Sequence, residues 1–172
     1  MKSTNLSAEK GLKFTIFHYL CSMESAKETH KVYLGIGSNL GEKEANIDTA
    51  IEKIDRQVGK IIARSSFYYS KPMGFESVND FVNAVVLCRT SLTPHEVLGM
   101  TQGIEREMGR THKSSFNKET STFDYKDRII DIDILLYDDL QVNDTDLQIP
   151  HPRMEERDFV TVPLAEIERL IP

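Results

Sequence analysis

Two aspartates lie two residues apart inside one apolar run, Arg128-Ile129-Ile130-Asp131-Ile132-Asp133-Ile134-Leu135-Leu136-Tyr137. Its β-branched and aliphatic residues, with neither Gly nor Pro inside, predict a buried β-strand. Alternate side chains on a strand share a face, so Asp131 and Asp133 point the same way, roughly 7 Å apart at about 3.3 Å rise per residue. Ile130, Ile132 and Ile134 then fill the opposite face. Paired carboxylates in such a strand repel each other and lose hydration unless a cation sits between them. Magnesium is commonly held by one or two carboxylates together with substrate phosphates. The pattern therefore predicts a magnesium-binding carboxylate pair. The plain alternative is an edge strand with two ordinary surface aspartates, and D-x-D spacing alone leaves both open.

A polyphosphate partner for that metal needs local positive charge. The polar stretch 110–127 opens on Arg110, closes against Arg128, and carries His112, Lys113 and Lys118 between them. Arginine suits phosphate because its fork donates to two oxygens at once. A loop of this length inside a compact domain is usually functional or disordered, and beside a metal strand it reads as a lid over the phosphates. His151 and Arg157 add to the case only in combination, since each alone is an ordinary surface residue. Gln102 and Glu105, three apart on a helix, share one flank, which by default is a solvated face. Asn83 sits in an apolar strand, where an amide needs partners for both oxygen and nitrogen; a neighbouring loop or the edge of a heterocycle would serve. Gly35, Gly37 and Gly41 match neither the dinucleotide fingerprint nor the P-loop and read as a tight strand-to-helix turn.

The elements that must position these residues follow from periodicity. Lys31 to Gly37 is a strand, and Ser38 to Gly41 a turn. Ile47, Ala50, Ile51, Ile54 and Val58 recur at helical spacing up to Gly59. Ile61 to Ser70 reads as one strand, Lys71 to Phe75 as a Pro/Gly loop, and Phe81 to Thr90 as a third strand. Thr93-Pro94-His95-Glu96 is a capping box with Pro at the first helical position; Val97, Leu98, Thr101, Ile104 and Met108 form the buried stripe that follows. After the aspartate strand, Ile149 to Arg153 is stiffened by two prolines. Pro163 to Ile171 reads as a closing helix with Leu164, Ile167, Leu170 and Ile171 inward. The order strand, helix, strand, strand, helix, strand is the split β-α-β arrangement of ferredoxin-like α+β folds, expected as one layer of helices on one antiparallel sheet.

The chain has 172 residues, enough for one domain with a real core. Its net charge of −6 removes any general electrostatic case for nucleic acid. Cys21 and Cys88 lie in no metal-type spacing, so a reduced cytoplasmic setting is expected. Residues 1–30 read as an extension of unknown role ahead of a domain spanning 31–172. The apolar run Leu12 to Met23 is too short to span a membrane. If ordered it would be a short surface helix; a signal peptide is the less favoured reading, since the run holds His18 and lacks a small-x-small cleavage site, and Met23 offers an internal start.

Three blocks in this order resemble one known family: Tyr33-Leu34-Gly35-Ile36-Gly37-Ser38-Asn39-Leu40-Gly41, then Arg128 to Leu135, then Pro150-His151-Pro152-Arg153-Met154. They are similar to the signatures of 6-hydroxymethyl-7,8-dihydropterin pyrophosphokinase, which moves a pyrophosphoryl group from ATP to the pterin hydroxymethyl group in folate biosynthesis and releases AMP. The resemblance implies a ferredoxin-like fold, ATP as co-substrate, two magnesium ions on Asp131 and Asp133, and Arg110 and Arg128 facing the phosphates as catalytic residues. It implies ATP contacts from Gln102, Glu105, Arg110, Lys113, Ile134, His151 and Arg157. The pterin would lie among Ser70, Lys71, Met73, Phe81, Asn83, Tyr125 and Phe159. His112 and Lys71 stand where the family often has Arg and Pro. The expected protein is a monomer taking small-molecule substrates, with no nucleic-acid or membrane partner. Two other readings compete: a ferredoxin-like binding module without turnover, and a metal-dependent nuclease or other phosphotransferase.

Overall fold

The computed structural model describes residues 28–110, 115–117, 122–124 and 126–171. The readings of residues 1–27 and of His112, Lys113, Lys118 and Tyr125 lie outside them. In chain order the elements are β1 (His30–Ser38), α1 (Lys43–Gln57), β2 (Lys60–Arg64), β3 (Tyr68–Ser70), β4 (Phe81–Thr90), α2 (Pro94–Glu107), β5 (Ser115–Asn117), β6 (Thr122–Asp124), β7 (Asp131–Tyr137), β8 (Val142–Asn143), β9 (Gln148–Ile149) and α3 (Asp158–Leu170). The main sheet runs β2-β4-β1-β7, with β3 also on β4, and every pairing is antiparallel. β1 and β2 therefore run the same way with β4 inserted between them, which is the split crossover expected from the order of elements.

Both faces of the sheet are covered, which corrects the expectation of one helical layer. On one face Val32, Leu34, Ile36, Ala84, Val86, Ile132 and Ile134 pack against Ile47, Ala50 and Ile54 of α1 and Val97 and Ile104 of α2. On the other, Val85, Leu87 and Leu135 meet Val160, Leu164 and Ile167 of α3. The reason lies in β4, where every residue except Arg89 is buried. A strand buried along both of its faces has to be covered twice.

Three boundaries depart from the periodicity. The predicted strand 61–70 breaks at buried Ser65, whose N–H donates to the Val85 carbonyl at 2.9 Å and whose hydroxyl accepts from the Val85 N–H at 2.9 Å. A side chain has taken over one ladder bond there. α3 begins at Asp158, five residues early, so Pro163 lies inside the helix rather than at its start. Its inward face is Val160, Pro163, Leu164 and Ile167, while Leu170 is 63% exposed. β7 begins only at Asp131, because Asn39 holds the Arg128 backbone: Arg128 N–H donates to Asn39 Oδ1 at 2.8 Å, and Asn39 N–H donates to the Arg128 carbonyl at 3.2 Å.

β7 also carries a bulge. Leu34 faces Ile134 and Tyr33 faces Leu136, so Leu135 opposes no partner. The extra residue resets the alternation. Ile130, Ile132 and Ile134 share one core with Tyr137, whose hydroxyl donates to the Leu92 carbonyl at 2.6 Å. Asp131 and Asp133 stay on the opposite face, ahead of the bulge, as predicted.

Candidate active site

A cleft of about 520 Å³ opens along the outer edge of β7. β7 contributes Asp131 and Asp133, and α2 contributes Gln102 and Glu105 from one side of the sheet. Arg110 and Arg128 stand at the two ends of the segment joining α2 to β7, and Ile134 closes the apolar wall between them and α2. Ser70, Lys71, Met73, Phe81 and Asn83 line the far end, and His151, Arg157 and Phe159 line the side nearest α3. Every sequence-predicted site residue within the described residues therefore borders this cleft.

Its floor is made by missing side chains. Gly37 sits between Asn83 on β4 and Asp131 on β7, and Gly35 between Val85 and Asp133. A Cβ at Gly37 would stand 3.0 Å from Asn83 Oδ1, and one at Gly35 3.3 Å from Leu135. The turn reading fits Gly41 alone, which has φ +64°; Gly35 and Gly37 are mid-strand positions where an added Cβ would press on the Leu135 and Asn83 side chains.

The electrostatic centre is a buried network around Arg110. Its Nη1 is 2.6 Å from Glu105 Oε1 and also donates to Asp131 Oδ1, while Arg128 Nη2 lies 2.9 Å from Asp131 Oδ2. Glu105 Oε1 accepts in addition the Ile132 backbone N–H at 2.8 Å, which satisfies the outer edge of β7. Glu105 is only 3% exposed, so the solvated-flank reading of the Gln102/Glu105 pair is overturned. Periodicity marks which flank a residue occupies, and the buried arginine opposite it comes from elsewhere in the chain. Burial works against the Arg110 charge, but the Asp131 and Glu105 carboxylates outweigh it and raise its pKa.

Asp133 has no such guarantee. Burial, then the neighbouring Asp131 charge, push its pKa up to about 7, against partial compensation from Arg157 and Arg128. His151 moves the other way: burial and then the Arg157 cation push it down to about 4, so its ring is neutral at pH 7. Its Nδ1 accepts from the Arg153 N–H at 3.3 Å, which leaves Nε2 carrying the proton as a donor. Arg157 stacks over Phe159 at 5.6 Å, and its buried Nε finds no hydrogen-bond partner among the described residues. A guanidinium and a neutral imidazole donor lining one cleft suit an anionic ligand.

At the far end Asn83 Nδ2 donates to Ser70 Oγ at 3.0 Å and to the Tyr68 carbonyl at 3.4 Å, fixing which way its amide faces. Arg128 lies over the Phe81 ring at 5.3 Å, and Phe75 meets that ring edge-on at 6.2 Å. At the same end, Lys71 pairs with Asp80 at 2.8 Å.

The carboxylates fit a hard divalent cation. Among the described residues no group of three or more His, Cys, Asp or Glu side chains converges on a common point. Asp131 and Asp133 would be the protein donors, and the remaining oxygens would come from water and ligand, the pattern of magnesium bound with phosphates. The raised Asp133 pKa is what a carboxylate pair shows before a cation neutralises it.

Residues 33–169 match the family model for 7,8-dihydro-6-hydroxymethylpterin-pyrophosphokinase (HPPK). The chain belongs to the HPPK family. A 2-amino-4-hydroxy-6-hydroxymethyldihydropteridine pyrophosphokinase of Porphyromonas gingivalis is 45% identical over 137 residues, covering 79% of this chain and 89% of that protein. The pyrophosphokinase of the same name from Aquifex aeolicus is 42% identical over 139 residues, covering 80% of this chain and 79% of that one. Among solved structures, a Plasmodium falciparum HPPK-DHPS matches with a TM-score of 0.61 at 16% identity, covering 83% of this chain and 41% of that one; that likeness speaks to the fold alone.

Within this HPPK chain, several cleft features escaped sequence reasoning. The alternation of Gly35 and Gly37 within an otherwise apolar strand was the available signal for the side-chain-free floor. Phe75, Leu147 and Gln148 also border the cleft, and nothing in their local pattern separates them from ordinary loop residues.

Proposed function

We propose that this protein transfers a pyrophosphoryl group from ATP to the hydroxymethyl group of 6-hydroxymethyl-7,8-dihydropterin, releasing AMP, as a step of folate biosynthesis. The observation that carries the reading is the pairing of Asp131 and Asp133 with Arg110, Arg128 and Arg157 along one cleft. A binding module without turnover has no use for that combination, and a net charge of −6 disfavours a nuclease. The test follows AMP and ADP in a mixture of protein, ATP, magnesium and the pterin. AMP without ADP supports pyrophosphoryl transfer; absence of both products removes it.

In this reading ATP lies toward Gln102, Glu105, Ile134, His151 and Arg157, and the pterin toward Ser70, Lys71, Met73, Phe81, Asn83 and Phe159. Asp131 and Asp133 would hold a pair of magnesium ions, whose chemistry there would be Lewis-acid polarisation of the phosphates and of the attacking hydroxyl. Arg110 and Arg128 hold positive charge where negative charge grows on the transferring group. Arg157 and the His151 Nε2–H donate to phosphate oxygens. Asn83, its nitrogen spent on Ser70 and Tyr68, offers its oxygen to the N–H edge of the heterocycle. Asp133 orients the attacking hydroxyl. No helix among the described residues is long and apolar enough to cross a membrane; we assign the protein to the cytoplasm as a monomer.

Gly37→Ala sets a methyl 3.0 Å from Asn83 Oδ1, displacing the amide, and is expected to raise the pterin KM about tenfold, the scale of losing one good hydrogen bond. The ATP KM should stay within about twofold; equal effects on both substrates would remove Asn83 from the pterin end. Magnesium binding is expected to depend on pH. Asp133 must lose its proton to ligate, and with a pKa of about 7 it is mostly neutral at pH 6 and mostly ionised at pH 8. Apparent magnesium affinity should therefore rise about tenfold from pH 6 to pH 8, with proton release on binding near pH 7. Calorimetry in buffers of different ionisation enthalpy reads both, and a flat profile would contradict the assignment.

A further inference from the structure

The loop joining β3 to β4, residues 71–80, brings Lys71, Met73 and Phe75 to the cleft. Much of what holds it is local: Lys71 pairs with Asp80 at 2.8 Å, and Asn79 N–H donates to Ser77 Oγ at 3.1 Å. At its far end the loop reaches a residue remote in sequence. Asn79 Nδ2 donates to Asp127 Oδ2 at 2.8 Å, across 48 residues, and Ser77 also hydrogen-bonds that carboxylate. The second oxygen, Oδ1, accepts from Asn39 Nδ2 at 2.6 Å. Asn39 is buried, and its own Oδ1 accepts the Arg128 N–H at 2.8 Å. One carboxylate thus ties three separate segments: the turn after β1, the cleft loop 71–80, and the entry to β7, where Arg128 holds Asp131. Neither oxygen of Asp127 faces a reacting group, and no step of the proposed chemistry uses it.

We infer that Asp127 is a positioning residue, a latch whose carboxylate fastens the loop 71–80 at the pterin end of the cleft and registers it against Arg128. The inference rests on the proposed function for which substrate lies at that end. Its direction follows from conformational entropy: a loop already ordered by charged hydrogen bonds does not have to be ordered by the substrate. Losing the latch should therefore weaken the ligand that the loop touches and spare the ligand at the other end.

The chemistry of the latch offers its own control. Asp127→Ala removes both acceptors. Asn79→Asp sets two carboxylates against each other. The exchange Asn79→Asp with Asp127→Asn rebuilds both bonds, because the new amide at 127 accepts from Asn39 with its oxygen and donates to the new carboxylate at 79. Asp127→Asn alone is a weak probe, since the Asn79 amide can turn over and present its oxygen. Asp127→Ala and Asn79→Asp are each expected to raise the pterin KM about tenfold, with kcat and the ATP KM within about twofold, the scale of losing hydrogen bonds to a charged group. Hydrogen exchange of backbone amides in 71–80 should quicken in both variants of the ligand-free protein, and the exchanged pair should restore both readouts. Unchanged exchange in the single variants overturns the latch. Quicker exchange with an unchanged pterin KM overturns its positioning role, and so does a double variant no better than the singles. If the unmodified protein itself releases no AMP, the proposed function fails, and the exchange series still decides the latch, since it needs no substrate.

Discussion

Replacing Asp133 with alanine is expected to lower pyrophosphoryl transfer at least about a hundredfold, ~3 kcal/mol of transition-state stabilisation on the scale of losing one key electrostatic group. Asp131→Ala should cost as much activity. The two variants should part company on stability, which makes the pair informative. Asp133 sits half-buried with its pKa pushed up to about 7, held there by burial and by the charge of Asp131. At neutral pH and above, its ionised form is an unfavourable guest in the folded ligand-free protein, so Asp133→Ala in magnesium-free buffer should be at least as stable as the unmodified chain. Asp131 is instead the common partner of Arg110 and Arg128, and its loss takes one carboxylate away from two largely buried guanidinium groups, a destabilising change. Steady-state AMP release with thermal unfolding, with and without magnesium, checks both statements. Near-normal turnover in either variant would remove the metal assignment. An Asp133→Ala protein that unfolds several degrees early without magnesium would show that the carboxylate serves the fold instead.

Glu105→Ala should be among the most damaging substitutions to the fold. The side chain is 4% exposed and its partner Arg110 8%, and the same oxygen satisfies the Ile132 N–H at 2.8 Å on the outer edge of β7. Truncation leaves a buried arginine short of one counterion and a backbone donor without an acceptor. Removing one member of a buried ion pair typically costs about 3–5 kcal/mol. For a chain of this size that corresponds to a melting temperature lower by roughly 6–20 °C. Glu105→Gln keeps an oxygen for the Ile132 N–H and should fall between the two. Urea titration at pH 7.5 reads the difference, and a loss below about 1 kcal/mol for the alanine variant would mean the network is solvent-screened like a surface pair.

What was legible before the fold follows from range. The apolar alternation of β1 and β4, the stripes of α1 and α2, and the Thr93–Glu96 capping box are local signals, and the elements stand where those signals put them. The Asp131/Asp133 pair was legible because strand alternation carries a side chain's direction in its position number. Boundaries decided by distant partners were not legible. Ser65 ends β2 because Val85 lies across from it, β7 starts late because Asn39 takes the Arg128 backbone, and α3 starts early because Val160 has a place in the second core.

By itself, the order of residues determined the elements, their succession, and the chemical types available for a site: two acids on one strand face and basic residues at the ends of one long connection. Only tertiary structure decided that α3 would cover the second sheet face, that Gly35 and Gly37 would floor a cleft, and that Glu105 would be buried beneath Arg110. The physical reason is that burial and charge pairing are properties of neighbourhoods. Chain spacing fixes neighbours within a turn or a strand, while neighbours across the sheet exist only once α1, α2 and α3 have closed on it.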